Sequence, residues 1–278
     1  MLLYHYCTNA TFCSIIENKS IWLSSLSLSN DAMEGKWLRG LFEETCIAAG
    51  VKAHHLPDLL SSFDFIDDMI DALGFCLSEQ GDLLSQWRGY ADDGAGLSIG
   101  FDKAHLELGR PPKDQQSGFS LSKIGYGEVA TDSKLRDVAK SLAASSSEGV
   151  WDKIGLLNAP SDKEGWDALT KRRTKAGFPI LLLFSELYKV KNPAFLEECE
   201  WRLLSFRLTS STDTCLFRAA GDKIVPYRKF EMPLSEDKVI KRVVLGPKNK
   251  SSIRDIQQYL GLSGLAGVDV IRSTASYR

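Results

Sequence analysis

"ECEWRLLSF", residues 198–206, decides the fold class, because its residues alternate in character with a period of two. In a strand, that period puts Glu198, Glu200 and Arg202 on one side and Cys199, Trp201 and Leu203 on the other. One side can meet a core while the other gathers two carboxylates and a guanidinium. More strand-like segments follow, "TCLFRA", "KIVPYRKFEM" and "VIKRVVLG", then a helix from about residue 251 and a last strand in "GVDVIRS".

Toward the amino end, residues 2–6 read as a strand and "TNATFCSIIENK" as a short helix capped by Thr8, with Phe12, Ile15 and Ile16 spaced for burial. "SIWLSS" (20–25) is a second strand. A helix follows whose Trp37, Leu38, Leu41, Phe42 and Cys46 share a face, then another near 58–72 and a short strand, "GFCLSE". "DLLSQWRGYADD" reads as a helix capped by Asp82, and "GAGLSIGFD" as a half-buried strand. Between 105 and 165 the signal weakens around a strand near 123–129 and a helix near 132–145; residues 165–190 are helical with a break at Gly177 and Pro179. These elements predict an α+β fold with a mixed, mainly antiparallel sheet core and flanking helices. A single domain over 1–278 is expected, with a variable, mainly helical insert at about 105–195.

Composition excludes several classes. The chain has 278 residues, 44% hydrophobic and 25% charged, as a soluble globular protein does. Its longest uncharged apolar run, "PILLLF" (179–184), falls far short of the roughly 20 residues of a spanning helix, so no membrane partner is expected. "MLLYHY" has no secretory pattern, which points to a cytoplasmic location. Six cysteines (7, 13, 46, 76, 199 and 215) form no C-x-x-C pair and read as reduced thiols. A net charge of −2 argues against wholesale coating of nucleic acid, and "KRRTK" (171–175) reads as a solvated helix face.

Several motif matches fail on context. "GLSIG" (96–100) fits the serine-hydrolase pattern, but Ser98 lies mid-strand and the one later histidine is His105. His54 and His55 are adjacent, so on a helix they point about 100° apart, and no H-E-x-x-H or Cys/His quartet accompanies them; no metal site is expected. "GAG" (94–96) precedes a strand where a dinucleotide loop must follow one. "GPKNKS" (246–251) is a strand-to-helix turn with free N–H groups that could hold an anion.

Four stretches combine polar residues with aromatics beyond what packing demands: "YHY" (4–6), "SNDAMEG" (29–35), "SQWRGYAD" (85–92) and "EECEWRL" (197–203). Three of them have a plain structural explanation. Glu200 and Arg202 can be a same-face ion pair, Asn30, Asp31 and Glu34 can form a helix entry, and His5 can be a core histidine on a backbone carbonyl.

In that order, "LYHYC", "SIIENKSIWLSSLSLSNDAMEG", "LLSQWRGYADDGAGLSIGFD", "FLEECEWRLLS", "VVLGP" and "STASYR" resemble the bacterial family catalogued as domain of unknown function 2971, over nearly the whole chain. Ala32 departs from the family's N-D-P-x-E pattern. The initial strand with histidine, short helix and strand also looks like the first NAD-binding block of ADP-ribosyltransferases. That second resemblance implies NAD as substrate and an ADP-ribosyltransferase or NAD glycohydrolase activity, as in toxin or antiphage effectors. His5 would then hold the nicotinamide-side ribose, and Glu200 would stabilise an oxocarbenium-like transition state. Glu198 or Asp31 would orient or deprotonate the acceptor, a nucleic acid or a protein. Arg202 or Arg278 would meet the pyrophosphate, and Tyr90 or Trp22 would stack on nicotinamide. The reading requires His5 and Glu200 to meet around one sugar. Two alternatives stand beside it: a non-catalytic sensor or binding module, and a metal-dependent nuclease or phosphodiesterase using Asn30, Asp31, Glu34 and Glu200.

Overall fold

The computed structural model describes residues 1–28, 37–107, 118–127, 133–155, 158–209, 215–232 and 239–277, with Asp67 described by its backbone alone. The amino-terminal unit forms as its pattern dictates. Strand β1 (Leu2–Cys7) leads to helix α1 (Asn9–Asn18), capped by Thr8, whose hydroxyl accepts the Thr11 N–H; Phe12, Ile15 and Ile16 are buried. Strand β2 (Ser20–Ser25), helices α2 (Trp37–Ala48) and α3 (Leu56–Met69), and strand β3 (Ile70–Ser78) follow. Helix α4 (Leu84–Tyr90), strand β4 (Leu97–Asp102) and the short helix α5 (Lys103–Glu107) complete the first half.

The middle of the chain supplies strands β5 (Ser120–Lys123) and β6 (Gly125–Tyr126), helices α6 (Lys134–Ser147) and α7 (Lys163–Leu181), and the two-residue strand β7 (Val190–Lys191). Then come β8 (Glu200–Leu208), β9 (Leu216–Ala220), β10 (Lys223–Glu231), β11 (Ile240–Leu245), α8 (Ile253–Leu262) and β12 (Asp269–Arg272). Among the described residues ten strands form one sheet, ordered β12-β11-β4-β1-β3-β2-β10-β9, with β8 on β3 and β5 on β8. All its pairs are antiparallel except β11–β12, as the α+β expectation has it.

Strand β3 is the hub. One edge pairs with β8 along all nine residues, Ile70 opposite Leu208 through Ser78 opposite Glu200. The other edge is shared: β1 meets it at Tyr4–Ser78, β2 at Ser24–Gly74 and Ser25–Leu73. Side chains of directly opposed residues share a face. Leu3, Cys7, Phe75, Leu77, Ile99 and Leu203 therefore point to one side, where α1 and α8 cover a common apolar cluster. On the other side, Ala72, Leu204 and Leu26 pack beneath α2, α3, α6 and α7, so helices from both halves of the chain share one core. Tyr6 and Val244 lie on that same side under α4, with Trp87 and Ala91.

Four local readings are corrected. Helix α4 starts after Leu83 with no side-chain cap; the Asp82 carboxylate instead accepts from Trp87 Nε1 and from the backbone and hydroxyl of Thr274. Helix α7 runs through Gly177, which has Trp151 packed against its missing side chain, and carries Pro179 in its last turn. Strand β4 is buried on both faces, not one, because β1 and β11 flank it and both sheet faces are covered. Strand β8 begins only at Glu200: residues Pro193–Glu198 form a 3-10 turn that ends at Cys199 with φ of 44°.

Candidate functional site

Glu200 occupies the first position of β8, and Arg202 follows on the same face two residues on, as the alternation requires. Arg202 grips Glu200 with both arms of its fork, Nε to Oε1 at 2.7 Å and Nη2 to Oε2 at 3.0 Å, and donates Nη1 to the Tyr188 carbonyl at 2.9 Å. Lys191, at the end of β7, donates to Glu200 Oε2 at 3.1 Å and to Glu198 Oε2 at 2.7 Å. Tyr90, at the end of α4, donates to Glu198 Oε1 at 3.4 Å; this tyrosine is 46% exposed. The Tyr126 hydroxyl accepts the Glu200 backbone N–H at 2.8 Å. The chain of groups thus runs from an exposed phenol through two carboxylates and an ammonium to a fully buried guanidinium.

The charges balance, two acids against two bases, and that balance lets them be buried. Burial pushes Glu200 toward its neutral form, but the charge and hydrogen bonds of Arg202, then Lys191 and the Cys76 thiol, outweigh it and hold the carboxyl below its ordinary range. Burial likewise opposes the Lys191 ammonium, and the Glu200 charge with the Glu198 hydrogen bond raises its pKa. Burial lifts the Tyr126 phenol to about 12. The site is therefore a set of fixed charges and neutral phenols at neutral pH, suited to meeting a polar or charge-developing group and not to a nucleophilic tyrosine or lysine.

The predicted residues divide into three groups. Glu198, Glu200, Arg202 and Tyr90 come together, although Glu198 reaches the cluster from the 3-10 turn and not by strand alternation; Lys191, which bridges both acids, joins them. Trp22 lies in β2 and stacks on Tyr227 at 4.5 Å. His5 points to the opposite face of the sheet: its neighbours across the strands are Ile99 and, in a stack of 4.0 Å between ring centroids, Phe75. Its Nδ1–H donates to the Cys76 carbonyl at 2.9 Å, filling the edge of β3 where β1 parts from it. Burial lowers its pKa to about 4, so the ring is neutral. The sheet therefore separates the His5 and Glu200 side chains, and the expectation that both surround one sugar is corrected: β1 turns Tyr4 and Tyr6, not His5, to the Glu200 side. Asp31 and Arg278, with Asn30 and Glu34, lie outside the described residues.

Sequence reasoning missed Lys191, Tyr126 and Cys76. A lone lysine before an Asn-Pro turn carries no motif, and only the folded β6–β7 pair brings Tyr126 and Lys191 alongside β8. The "GPKNKS" turn is committed internally: Lys248 pairs with Asp93 at 2.7 Å and the Asn249 amide donates to the Ala95 and Gly96 carbonyls. A cavity of about 370 Å³ opens on the Glu200 side of the sheet but beyond the acid cluster, lined by Ser24, Gly74, Arg218, Asp222 and Lys223 among others. No helix of the described residues is long and apolar enough to cross a membrane.

Fold and site define an α+β protein with a buried, charge-balanced acid–base cluster on one face of a mainly antiparallel sheet. Residues 86–203 match the family model described as protein of unknown function (DUF2971), the family that the ordered blocks of the sequence resemble. The match takes in Tyr90, Lys191, Glu198, Glu200 and Arg202 and leaves His5 and Trp22 outside. Neither the curated proteins nor the solved structures yielded a match, and the resemblance to ADP-ribosyltransferases finds no support in these comparisons.

Proposed function

We propose that the protein is an NAD-consuming enzyme of the ADP-ribosyl transfer or NAD glycohydrolase type, an effector chemistry, with Glu198 as its working carboxylate and without the His5–Glu200 pairing that the sequence reading required. The observation that carries this reading is the unequal engagement of the two acids. Both Glu200 oxygens are held by Arg202, whereas among the described residues Glu198 Oε1 is met only by the Tyr90 hydroxyl at 3.4 Å. Breaking the nicotinamide–ribose bond sends its electron pair to the leaving base and develops positive charge on the sugar. A fixed carboxylate in a low-dielectric setting stabilises that charge. Glu198 would do so and then accept the proton of the attacking hydroxyl, while Lys191, Glu200 and Arg202 hold it in place. With Arg202 fully occupied by Glu200 and the Tyr188 carbonyl, the pyrophosphate would fall to a cation outside this cluster.

The test is nicotinamide release from NAD by the purified chain, alone and with nucleic acid or protein acceptors. Release that Glu198→Gln reduces by a hundredfold or more, and His5→Gln leaves intact, is the expected result, since a transition-state charge partner is worth about 10²–10³ in rate. No release with any acceptor sinks the reading. One observation favours a second reading, a non-catalytic nucleotide-binding module: Glu200, Arg202 and Lys191 satisfy one another as a structural network does. In that case NAD binds, by calorimetry, without turnover. The nuclease alternative rests on Asn30, Asp31 and Glu34, outside the described residues, and on Glu200, whose oxygens Arg202 and Lys191 already hold.

A further inference from the structure

His54 and His55 end a single 3-10 turn (Ala53–His55) between α2 and α3, and Asp152 follows α6, 97 residues beyond His55. Folding brings them together. His55 Nε2 lies 2.8 Å from Asp152 Oδ1, His54 Nε2 lies 3.6 Å from the same oxygen, and the three ligand atoms fall within 4.8 Å of one another. In a tetrahedral zinc site, with metal–ligand bonds of about 2.0–2.1 Å, neighbouring ligand atoms stand about 3.3 Å apart. The two distances to Asp152 bracket that value. We propose that His54, His55 and Asp152 bind a divalent transition metal of the zinc type, with the remaining coordination positions open to water.

The surroundings are built as a ligand shell is. A metal-bound imidazole needs its other nitrogen anchored. His55 Nδ1 is 2.8 Å from Ser146 Oγ; Ser146 is fully buried and its Oγ also accepts the Lys52 backbone N–H at 3.0 Å. The loop carrying Asp152 is fixed from three sides. Gly149 adopts φ of 69°, and a side chain there would strike the Asp152 carboxylate. Trp151 Nε1 donates to Ser145 Oγ at 2.9 Å, and Arg173 donates to the Val150 and Asp152 carbonyls at 3.1 and 2.6 Å. The side chains of His54 and Asp152 are 60% and 50% exposed, which gives the ion a path in. Two imidazoles and a carboxylate suit zinc and its first-row neighbours and do not suit magnesium or calcium. The metal takes the bare Nε2, so the ring's one hydrogen sits on Nδ1 and is donated to Ser146 Oγ.

The full-length chain, stripped with a chelator, is titrated with Zn²⁺ by calorimetry and with Co²⁺ in the visible range. One-to-one saturable binding with a cobalt d–d band is expected. His54→Ala and Asp152→Asn, both at half-exposed positions, should weaken it at least tenfold with unchanged circular dichroism. Ser146→Ala, a positioning change, should weaken it about 10–100-fold. Three results would each overturn the proposal: no saturable binding, wild-type affinity in both His54→Ala and Asp152→Asn, or a thiolate-to-cobalt charge-transfer band placing the ion on a cysteine such as the exposed Cys76.

Discussion

Glu200 and His5 sit two strands apart in one sheet, and through both of them acid works against the fold. Glu200 is charged because Arg202 and Lys191 surround it, and removing its charge leaves both cations in a dry site. Breaking such a pair from one side costs about 3–5 kcal/mol, so Glu200→Gln should lose that much in urea unfolding, and Glu200→Gln with Arg202→Met should lose less than the sum of the two. Because its folded pKa is depressed, Glu200 contributes stability that is present above the unfolded value and disappears as pH falls through the folded one. His5 is neutral in the fold and titrates at 6.5 when free, so acid favours the unfolded chain between pH 6.5 and about 4. Stability should fall across that window by up to roughly 3 kcal/mol, and His5→Gln, which keeps a donor for the Cys76 carbonyl but does not titrate, should flatten it. An unchanged slope in that variant would assign the window to other groups.

At the scale of elements, the approach of backbone to backbone around β4 leaves no room for a methyl group. A side chain at Gly246 would come within 2.3 Å of the Gly94 carbonyl oxygen, and one at Gly96 within 2.1 Å of that of Cys7. Gly246→Ala should therefore destabilise by about 1–3 kcal/mol in thermal or urea unfolding. Gly40→Ala, in α2 with open space around it, should be neutral or stabilising by up to about 1 kcal/mol. Elements with strong local signals were legible from the residues: the Thr8 cap and the apolar face of α1, the alternation of β8, the stripe of α2. Misread elements were those decided by distant partners. Asp82 resembles a cap, yet Trp87 and the carboxyl-terminal Thr274 claim it; Pro179 resembles a break, yet the helix runs two residues past it, at the loss of one ladder hydrogen bond near its end.

Over the whole molecule, the strand content and the mainly antiparallel pairing follow from periodicity, but the face on which each side chain ends follows from register. A residue and its neighbour in a strand look interchangeable in a motif such as "YHY" and lie on opposite sides of a sheet. That is why Glu198, Glu200, Arg202 and Tyr90 could be grouped from sequence while His5 could not be placed, and why Lys191, Tyr126 and the pairing of His54 and His55 with Asp152 had no local signal at all.

The seams of the sheet join early chain to late chain: β2 lies against β10, β4 against β11, β3 against β8. Each join closes a loop of more than a hundred residues before any contact repays the lost chain entropy. During synthesis β2, β3 and β4 consequently wait, each with an unsatisfied edge, for partners still to emerge. A slow-maturing nascent chain of this kind has its greatest exposure to misassociation before its final third leaves the ribosome.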